Sequence, residues 1–338
     1  MKCMNISRIV VLMISMIFFS CSYHTETANK SNKAASSLAR VAFYNVENLF
    51  DTEDDKHTND NDFLPSGKLK WTDERYQQKI QHIQEVMESL NENHTLALFG
   101  MAEVENKTVL EDLVKKDSSY QIIHYNSSDN RGIDVCLLYN TSYFTPLTSY
   151  LSSSESDVFL REVLVVKGIL WNDTVHVLVN HWPSRREGQE ESEHKRLEAA
   201  KLTLRLIDSI STENPSRTII VMGDFNDQPN DESISSITKL QPTKKNEAAD
   251  MVNPFEAKQN AGEGTCKYKR DWLLFDQMLL SKSVMDKKGF QFVSAEIYDP
   301  EWLYYKQDVN SGPYRTFVGD KYYGGYSDHF PVYIELKK

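Results

Sequence analysis

The chain has 338 residues, 40% hydrophobic and 26% charged, with 13 glycines and 10 prolines, a balance that excludes collagen, low-complexity disorder and a polytopic membrane protein. Its net charge of −11 offers no general basic surface for long nucleic acid, so any phosphate site has to be local. The four cysteines, Cys3, Cys21, Cys136 and Cys266, are too few and too scattered for a disulfide framework or a C-x-x-C zinc site.

The N-terminus carries Lys2 and Arg8 and then an apolar run from Ile9 to Phe19, long enough for the h-region of a signal peptide and short for a membrane span. Ser20 and Cys21 follow at once, and a small residue before cysteine at this place resembles the lipobox of bacterial lipoproteins. Residues 1–20 are therefore expected to be a signal peptide and Cys21 to carry the lipid that anchors the protein to a membrane of the cell envelope. The alternative is a secreted or periplasmic protein in which Cys21 is incidental. Residues 21–39 are polar and small and read as a tether, with a reach of roughly 20 to 25 Å as a flexible chain.

From Arg40 the pattern changes. RVAFYNV alternates like a strand, and Tyr76, Ile80, Ile83, Met87 and Leu90 then recur at helical spacing. LALFGMAEV, YQIIHY, IDVCLLY, VFLREVLVVKGIL and TVHVLVNHW read as strands, Leu197, Ala200, Leu204 and Ile207 as a second amphipathic helix, and RTIIVMGDF, LLFDQMLLS and FPVYIEL as further strands. Cys136, inside VCLLY, reads as a buried thiol rather than as a partner of Cys266. At least nine strands with few helices among them predict two packed sheets, mixed or antiparallel, flanked by helices: a layered α/β sandwich formed by one domain over 40–338. The segment from Pro300 to Tyr326 is rich in Tyr, Gly and Trp and is expected to border the site, with Trp302, Tyr304, Tyr305, Tyr314, Tyr322, Tyr323 and Tyr326 available to stack on bases or sugars.

Several polar residues stand where strands end. Asn45 and Glu47 close the first strand and Glu103 a later one, and if those strands are neighbours their hard oxygen ligands suit Mg²⁺ or Mn²⁺. Each acid taken alone would more often cap a strand or begin a solvated loop. Asp224 and Asn226 follow a buried strand directly, with Gly223 expected to let the backbone bend there. His181 and His329 lie at strand boundaries beside Asn180 and Asp328, where an imidazole able to donate to a phosphate or move a proton needs a partner to fix its tautomer. Asp276 interrupts the apolar run LLFDQMLL, where an unpaired carboxylate is costly to bury, so a histidine is a plausible partner.

FYNVENLF, GMAEVEN, VNHWPS, GDFND, FDQMLLS and GYSDHFPV occur in the order seen in the endonuclease/exonuclease/phosphatase superfamily, to which deoxyribonuclease I and exonuclease III belong, and the resemblance spans Arg40 to Lys337. It implies a four-layer, deoxyribonuclease I-like α/β sandwich and metal-dependent hydrolysis of a phosphate ester. It also implies that Asn45 and Glu103 are divalent-metal ligands, with Glu47 as an acid near the metal and Asp328 as a further metal-side carboxylate. Asp224 would align or deprotonate the attacking water, Asn226 would hold the phosphate, His181 and His329 would be the phosphate-site histidines, and Asp276 would orient His329. Arg161 resembles a phosphate-contacting arginine. Arg131 and Asp134 sit where some relatives place phosphate-contacting or histidine-orienting groups, Arg131 being the better candidate and Asp134 as readily a structural pair.

The expected function is that of a phosphoesterase using Mg²⁺ or Mn²⁺, a phosphodiesterase or nuclease first, with a phosphomonoesterase or a phospholipid hydrolase of the sphingomyelinase type as the alternative. A binding module without turnover is a third reading, set against the presence of every metal and water-activating residue of the pattern. Partners are a phosphate ester, nucleic acid or a nucleotide among them, and the membrane reached through the anchor; the protein is expected to act as a monomer. Anchoring predicts that mass spectrometry of membrane-extracted protein finds a di- or triacylated Cys21 at the mature N-terminus and that Cys21→Ser moves the protein to the soluble fraction. A lipid-free chain beginning downstream of Cys21 would contradict it.

Overall fold

A computed structural model describes residues 37–154, 158, 160–213, 217–239, 251–284, 289–308 and 310–338, which fall in one compact unit. The segment expected to be a signal peptide, Cys21 and the expected tether up to residue 36 lie outside the described residues. No helix among those described is long and apolar enough to cross a membrane.

Among the described residues sixteen strands run in chain order: β1 Leu38–Leu49, β2 Thr95–Val104, β3 Tyr120–His124, β4 Asp134–Asn140, β5 Phe144–Ser152, β6 Val163–Leu170, β7 Asp173–His181, β8 Thr218–Asp224, β9 Met251–Val252, β10 Cys266–Tyr268, β11 Asp271–Leu273, β12 Asp276–Ser281, β13 Gln291–Ile297, β14 Phe317–Val318, β15 Lys321–Tyr322 and β16 Val332–Lys337. One six-stranded sheet has the order β13-β16-β1-β2-β4-β3 and the other β5-β6-β7-β8-β12-β9. Each is mixed: β1 and β2 pair in parallel, as do β7 and β8, and the other neighbours are antiparallel. The helices are α1 Asp73–Leu90, α2 Lys107–Val114, α3 Gln189–Glu213, α4 Glu232–Thr238 and α5 Glu256–Asn260.

Burial follows the two-residue period of the central strands. In β1, Val41 and Phe43 face the core between the sheets with Val177, Val179 and Met222, whereas Ala42, Tyr44 and Val46 face outward onto Ile80, Ile83 and Val86 of α1. The outer face of the second sheet, Val163, Val165, Leu178 and Val221, packs on Ala199, Ala200 and Ile207 of α3. The result is helix, sheet, sheet, helix, the four-layer α/β sandwich. Strands covered on both faces have no polar face, which is why they read as continuous apolar runs.

The structure departs from the sequence-based expectations in a few places. The strand expected over VFLREVLVVKGIL begins only at Val163. The buried stripe of α3 carries Ser192, Arg196 and Thr203, while Leu197 and Leu204 are only half-buried. β1 starts at Leu38, before Arg40, with Ala39 fully buried opposite Leu336. Cys136 and Cys266 are both buried and free, and burial pushes both thiols up, so neither is a reactive thiolate.

Gly223 does not bend the chain. It lies inside β8 with no left-handed backbone, and its requirement is space: a Cβ there would stand 2.4 Å from the Asn180 carbonyl oxygen on β7. Gly223→Ala is therefore expected to push β7 and β8 apart, at a cost of about 1–3 kcal/mol or more, because the obstacle is backbone and cannot rotate away. Thermal melting measures this; an unchanged midpoint would contradict it.

Candidate functional site

Parallel pairing sends the carboxyl ends of β1 and β2 to one edge of the first sheet, and that of β7 and β8 to one edge of the second. β12 and β16 run antiparallel to β8 and β1, so their starts arrive at the same edges. Asn45, Glu103, His181, Asp224, Asp276 and His329 therefore meet at one seam, although they come from six strand ends. Register brings His181 beside Asp224, and Asp224 beside Asp276. Short polar contacts cross between the sheets: Asn45 Nδ2 donates to Asp224 Oδ2 at 3.0 Å, and His329 Nδ1 meets Asp276 Oδ2 at 2.6 Å.

The backbone at these ends is strained. Glu47, Asn48, Glu103 and Asn226 have φ of 49°, 58°, 66° and 51°, a left-handed conformation that costs a residue with a Cβ about 1–3 kcal/mol. Local bonds hold it: Glu103 Oε2 accepts from Asn48 N at 3.1 Å, Asn45 Oδ1 from Glu47 N at 3.0 Å, and Asp224 Oδ1 from Asn226 N at 2.9 Å. The strain turns the side chains back across the strand ends.

Charge decides what each group can do. Burial, reinforced by Asp276, raises Asp224 to about 7, so near neutral pH it can accept a proton. Burial opposes charge on His329, yet Asp276, Asp328 and Asp224 outweigh it and hold the imidazole well above its ordinary value; it is a cation whose Nε2 lies 4.0 Å from Asp224 Oδ2 and 3.9 Å from Asp328 Oδ1. His181 is the opposite case. Burial, then Arg161, Arg131, His329 and Arg186, push it well below, leaving a neutral ring with Nε2 3.8 Å from both Glu103 Oε1 and Asp224 Oδ2. Asn226 Nδ2 is tied to Trp182 O at 3.1 Å.

Glu103 and Asp328 open onto a cavity of about 450 Å³, together with Glu47, Arg131, Arg186 and Arg315. A divalent cation that prefers hard oxygen fits this side of the seam. Glu103 has no lysine or arginine at ion-pair distance among the described residues, and Asn45 Oδ1 keeps a second lone pair. A second group, Asp224, Asp276 and His329, has ligand atoms within 4.8 Å of one another and could hold a cation too, but a charged His329 offers no lone pair.

The other named residues have different surroundings. Glu47 lines the cavity, but its oxygens accept from Thr316 N at 2.6 Å and Phe317 N at 3.1 Å; burial and Asp328 raise it to about 7. It anchors the chain before Asp328, with Lys79 of α1, whose buried ammonium donates to Thr316 Oγ1 and Tyr326 O, both at 2.6 Å. Arg161 is not among the cavity-lining residues. Its Nη1 donates to the carbonyls of His181 at 3.3 Å and Trp182 at 3.1 Å, and its Nε to Asp129 at 2.8 Å, so it braces the backbone that carries His181. Arg131 reaches the cavity and pairs with the same Asp129 at 3.3 Å. Asp134 is a structural partner, 2.8 Å from buried His124. Asp328 accepts from Arg315 at 2.6 Å.

The segment expected to border the site does so through Arg315, Phe317, Gly319 and Asp320, but not through the rings expected to stack on substrate. None of Trp302, Tyr304, Tyr305, Tyr314, Tyr322, Tyr323 and Tyr326 lines the cavity: Tyr326 stacks on His82 of α1 at 4.2 Å, Tyr322 lies under the Arg75 guanidinium at 4.1 Å, and Tyr304 packs on Phe330 at 4.7 Å. The apolar wall is made by Phe50, Phe63, Leu69 and Phe317. Sequence reasoning also missed a charged clamp behind the Asp224 turn. Arg185 donates to Asn226 O at 2.7 Å, Asp227 at 2.6 Å and Asp231 at 2.5 Å, and buried Arg196 meets Asp227 at 2.6 Å. The paired arginines of HWPSRRE and the second Asp of GDFND were its only signal.

A model of the endonuclease/exonuclease/phosphatase family matches residues 40–338. The chain belongs to that family. Its members are hydrolases of phosphate esters. No match was found among curated protein sequences. The fold is similar to that of D. rerio TDP2 humanized by 14 mutations, at TM-score 0.58 and 14% identity over 90% of this chain and 100% of that one. It is similar too to the human Nocturnin catalytic domain with bound sulfate, at 0.57 and 14% over 89% and 95%, and to a mannosyl-6-phosphatase of Bacteroides thetaiotaomicron, at 0.56 and 16% over 89% and 100%. At such identities the likeness carries the fold alone.

Asp276→Asn removes the carboxylate that does most to charge His329. The ring is expected to become largely neutral near pH 7, read by NMR titration, and turnover to fall roughly a hundredfold or more with the fold retained. A His329 still charged in the variant would contradict the pairing.

Proposed function

We propose that the protein is a divalent-metal-dependent phosphodiesterase acting on short substrates, with Mg²⁺ or Mn²⁺ as the metal. The observation that carries the reading is the seam itself: Asp224, poised to take a proton near pH 7, stands between a neutral His181 and a cationic His329, beside Glu103, which has no lysine or arginine at ion-pair distance among the described residues. Asn45, Glu103 and Asp328, with Glu47 behind them, would hold the metal. When bound, the metal would neutralise phosphate oxygen charge and lower the barrier to attack at phosphorus.

The chain's own residues do the rest. Asp224 orients the attacking water and accepts its proton, helped by Asn45 Nδ2, which fixes the carboxylate at 3.0 Å. His329, held by Asp276, donates from Nε2 to the phosphate, and His181 and Asn226 add neutral donors; such preorganised donors work best where water is displaced. Arg131 draws the anion into the cavity, and Arg161 keeps His181 in place from behind.

The fold alone does not choose the ester. D. rerio TDP2 complexed with single strand DNA product and a mannosyl-6-phosphatase share it with this chain. A single cleft of about 450 Å³ in an acidic protein favours a short diester over a long duplex tracked through many phosphates. A phosphomonoester or a phospholipid headgroup is the second reading, since Arg131, Arg186 and Arg315 also suit a dianion. We propose further that the enzyme works at the cell envelope, anchored through Cys21.

Purified protein is expected to lose turnover in chelator and regain it with Mg²⁺ or Mn²⁺. Under one metal condition it should hydrolyse a dinucleotide or short oligonucleotide faster than long duplex DNA, a phospholipid or a phosphomonoester. Full activity in chelator would overturn the metal reading, and fastest turnover of the monoester or phospholipid would replace the diester.

A further inference from the structure

The cavity lining is of two unlike kinds. Glu103 and Asp328 supply the wall where the scissile phosphate and the metal belong, and Phe63, Leu69 and Phe317, all half-buried, supply an apolar wall together with buried Phe50. These rings support one another. Phe63 stacks on Phe50 at 4.2 Å and 10°, and meets Phe317 edge-on at 6.4 Å and 90°; fully buried Trp71 backs both, at 6.1 Å and 5.8 Å. Trp71 Nε1 is fixed to Phe50 O at 2.9 Å, and Phe317 N to Glu47 Oε1 at 3.1 Å. The shelf is therefore rigid before anything binds, and the same Glu47 that lies beside the metal-side carboxylates sets its position.

The rim selects the occupant. Asn59, Asp62 and Asp320, the last paired with Lys68 at 2.7 Å, line the same cavity, so an acyl chain would lie against polar and charged groups. Arg186 lines the cavity, is exposed and has no ion-pair partner among the described residues, and its neighbour Arg185 is pinned by the clamp behind Asp224. A flat ring with polar edges, joined to an anion, satisfies both walls. The volume of about 450 Å³ suits one such unit.

We propose that Phe63 and Phe317 are specificity-determining residues that seat the base of a nucleotide unit esterified to the scissile phosphate. This rests on the phosphodiesterase reading and adds the substrate class and the residues that select it. The base stacks on the open face of Phe317, Phe63, perpendicular to that ring, meets the base edge-on, and Arg186 meets the negative charge of the same unit. Stacking of this kind is sequence-tolerant, since every base has a π-face.

The test compares two esters with one leaving group, thymidine 5′-(4-nitrophenyl phosphate) and methyl 4-nitrophenyl phosphate, on the full protein with Mn²⁺. Phe317→Leu and Phe63→Leu are expected to lower kcat/KM for the thymidine ester roughly 10- to 100-fold, chiefly through KM, and to leave the methyl ester within about twofold. Phe317→Trp should restore the thymidine ester. Equal losses on both esters, or no loss on either, would overturn the proposal. Phe63 packs against Trp71, so thermal melting accompanies each variant, and Phe317→Leu carries the test if Phe63→Leu unfolds. Calorimetric binding of thymidine 5′-monophosphate and of inorganic phosphate to Asp224→Asn protein separates the two claims. Tighter binding of the nucleotide that Phe317→Leu abolishes supports the base seat even if neither ester is hydrolysed, in which case only the diesterase reading falls. Equal binding of nucleotide and phosphate overturns the seat.

Discussion

Carboxylates crowded into a low-dielectric seam are the constraint on which the rest of this structure depends. Glu47, Glu103, Asp224, Asp276 and Asp328 gather where the ends of two sheets meet, and water is largely excluded from Glu47, Asp224 and Asp276. Like charges in such a place repel strongly, and the protein relieves them unequally. Asp276 receives a charged histidine. Burial works against Asp328, but His329, Arg315 and Lys79 bring it below the usual carboxylate range. Glu47 receives two backbone amides and the buried Lys79, which burial pushes down to about 8. Asp224 is left near the middle of its titration at neutral pH, and Glu103 without a cationic side chain at contact. Those two residues are where a proton acceptor and a metal have most to gain.

The supporting structure is built to keep that imbalance from relaxing. Left-handed residues at the strand ends spend backbone energy to aim side chains across the seam. The clamp of Arg185, Asp227 and Arg196 holds the Asp224 turn from behind, with Ser233 Oγ and Ser192 Oγ closing the remaining bonds at 2.6 Å. Breaking a buried ion network by removing one partner strands the others, so this clamp resists partial loss. On the opposite side Lys79 and Glu47 tie α1 to the loop that brings Arg315, Asp328 and Phe317 to the cavity.

Much of this was legible in the sequence because burial on both faces writes an unmistakable pattern. Apolar runs that stop at Asn45, Glu103, His181 and Asp224 marked strand ends, and Asp276 inside an apolar strand announced a partner, which proved to be His329. Pairing was not legible: nothing local says that β7 lies beside β8 or that Asn45 reaches Asp224 across the sheets. The stripe of α3 misled for a physical reason, since its inward positions include Arg196, whose charge meets Asp227, and Thr203, whose hydroxyl donates to Asn180. β5 escaped notice because an edge strand has an exposed face and PLTSY carries no clean alternation. The tyrosines looked like a substrate wall because composition does not distinguish rings that face α1 from rings that face a cavity. The three phenylalanines that do face it are scattered over Phe50, Phe63 and Phe317 and meet only in the fold.

The central claim is that the seam is a metal-dependent phosphoester site with the metal on the Glu103 side. Anomalous diffraction from crystals soaked in Mn²⁺ tests it most directly. The account predicts a peak in contact with the Glu103 carboxylate, shared with Asn45 or Asp328 and lost in Glu103→Gln crystals. A peak seated instead among Asp224, Asp276 and His329, or none at the seam, would contradict it.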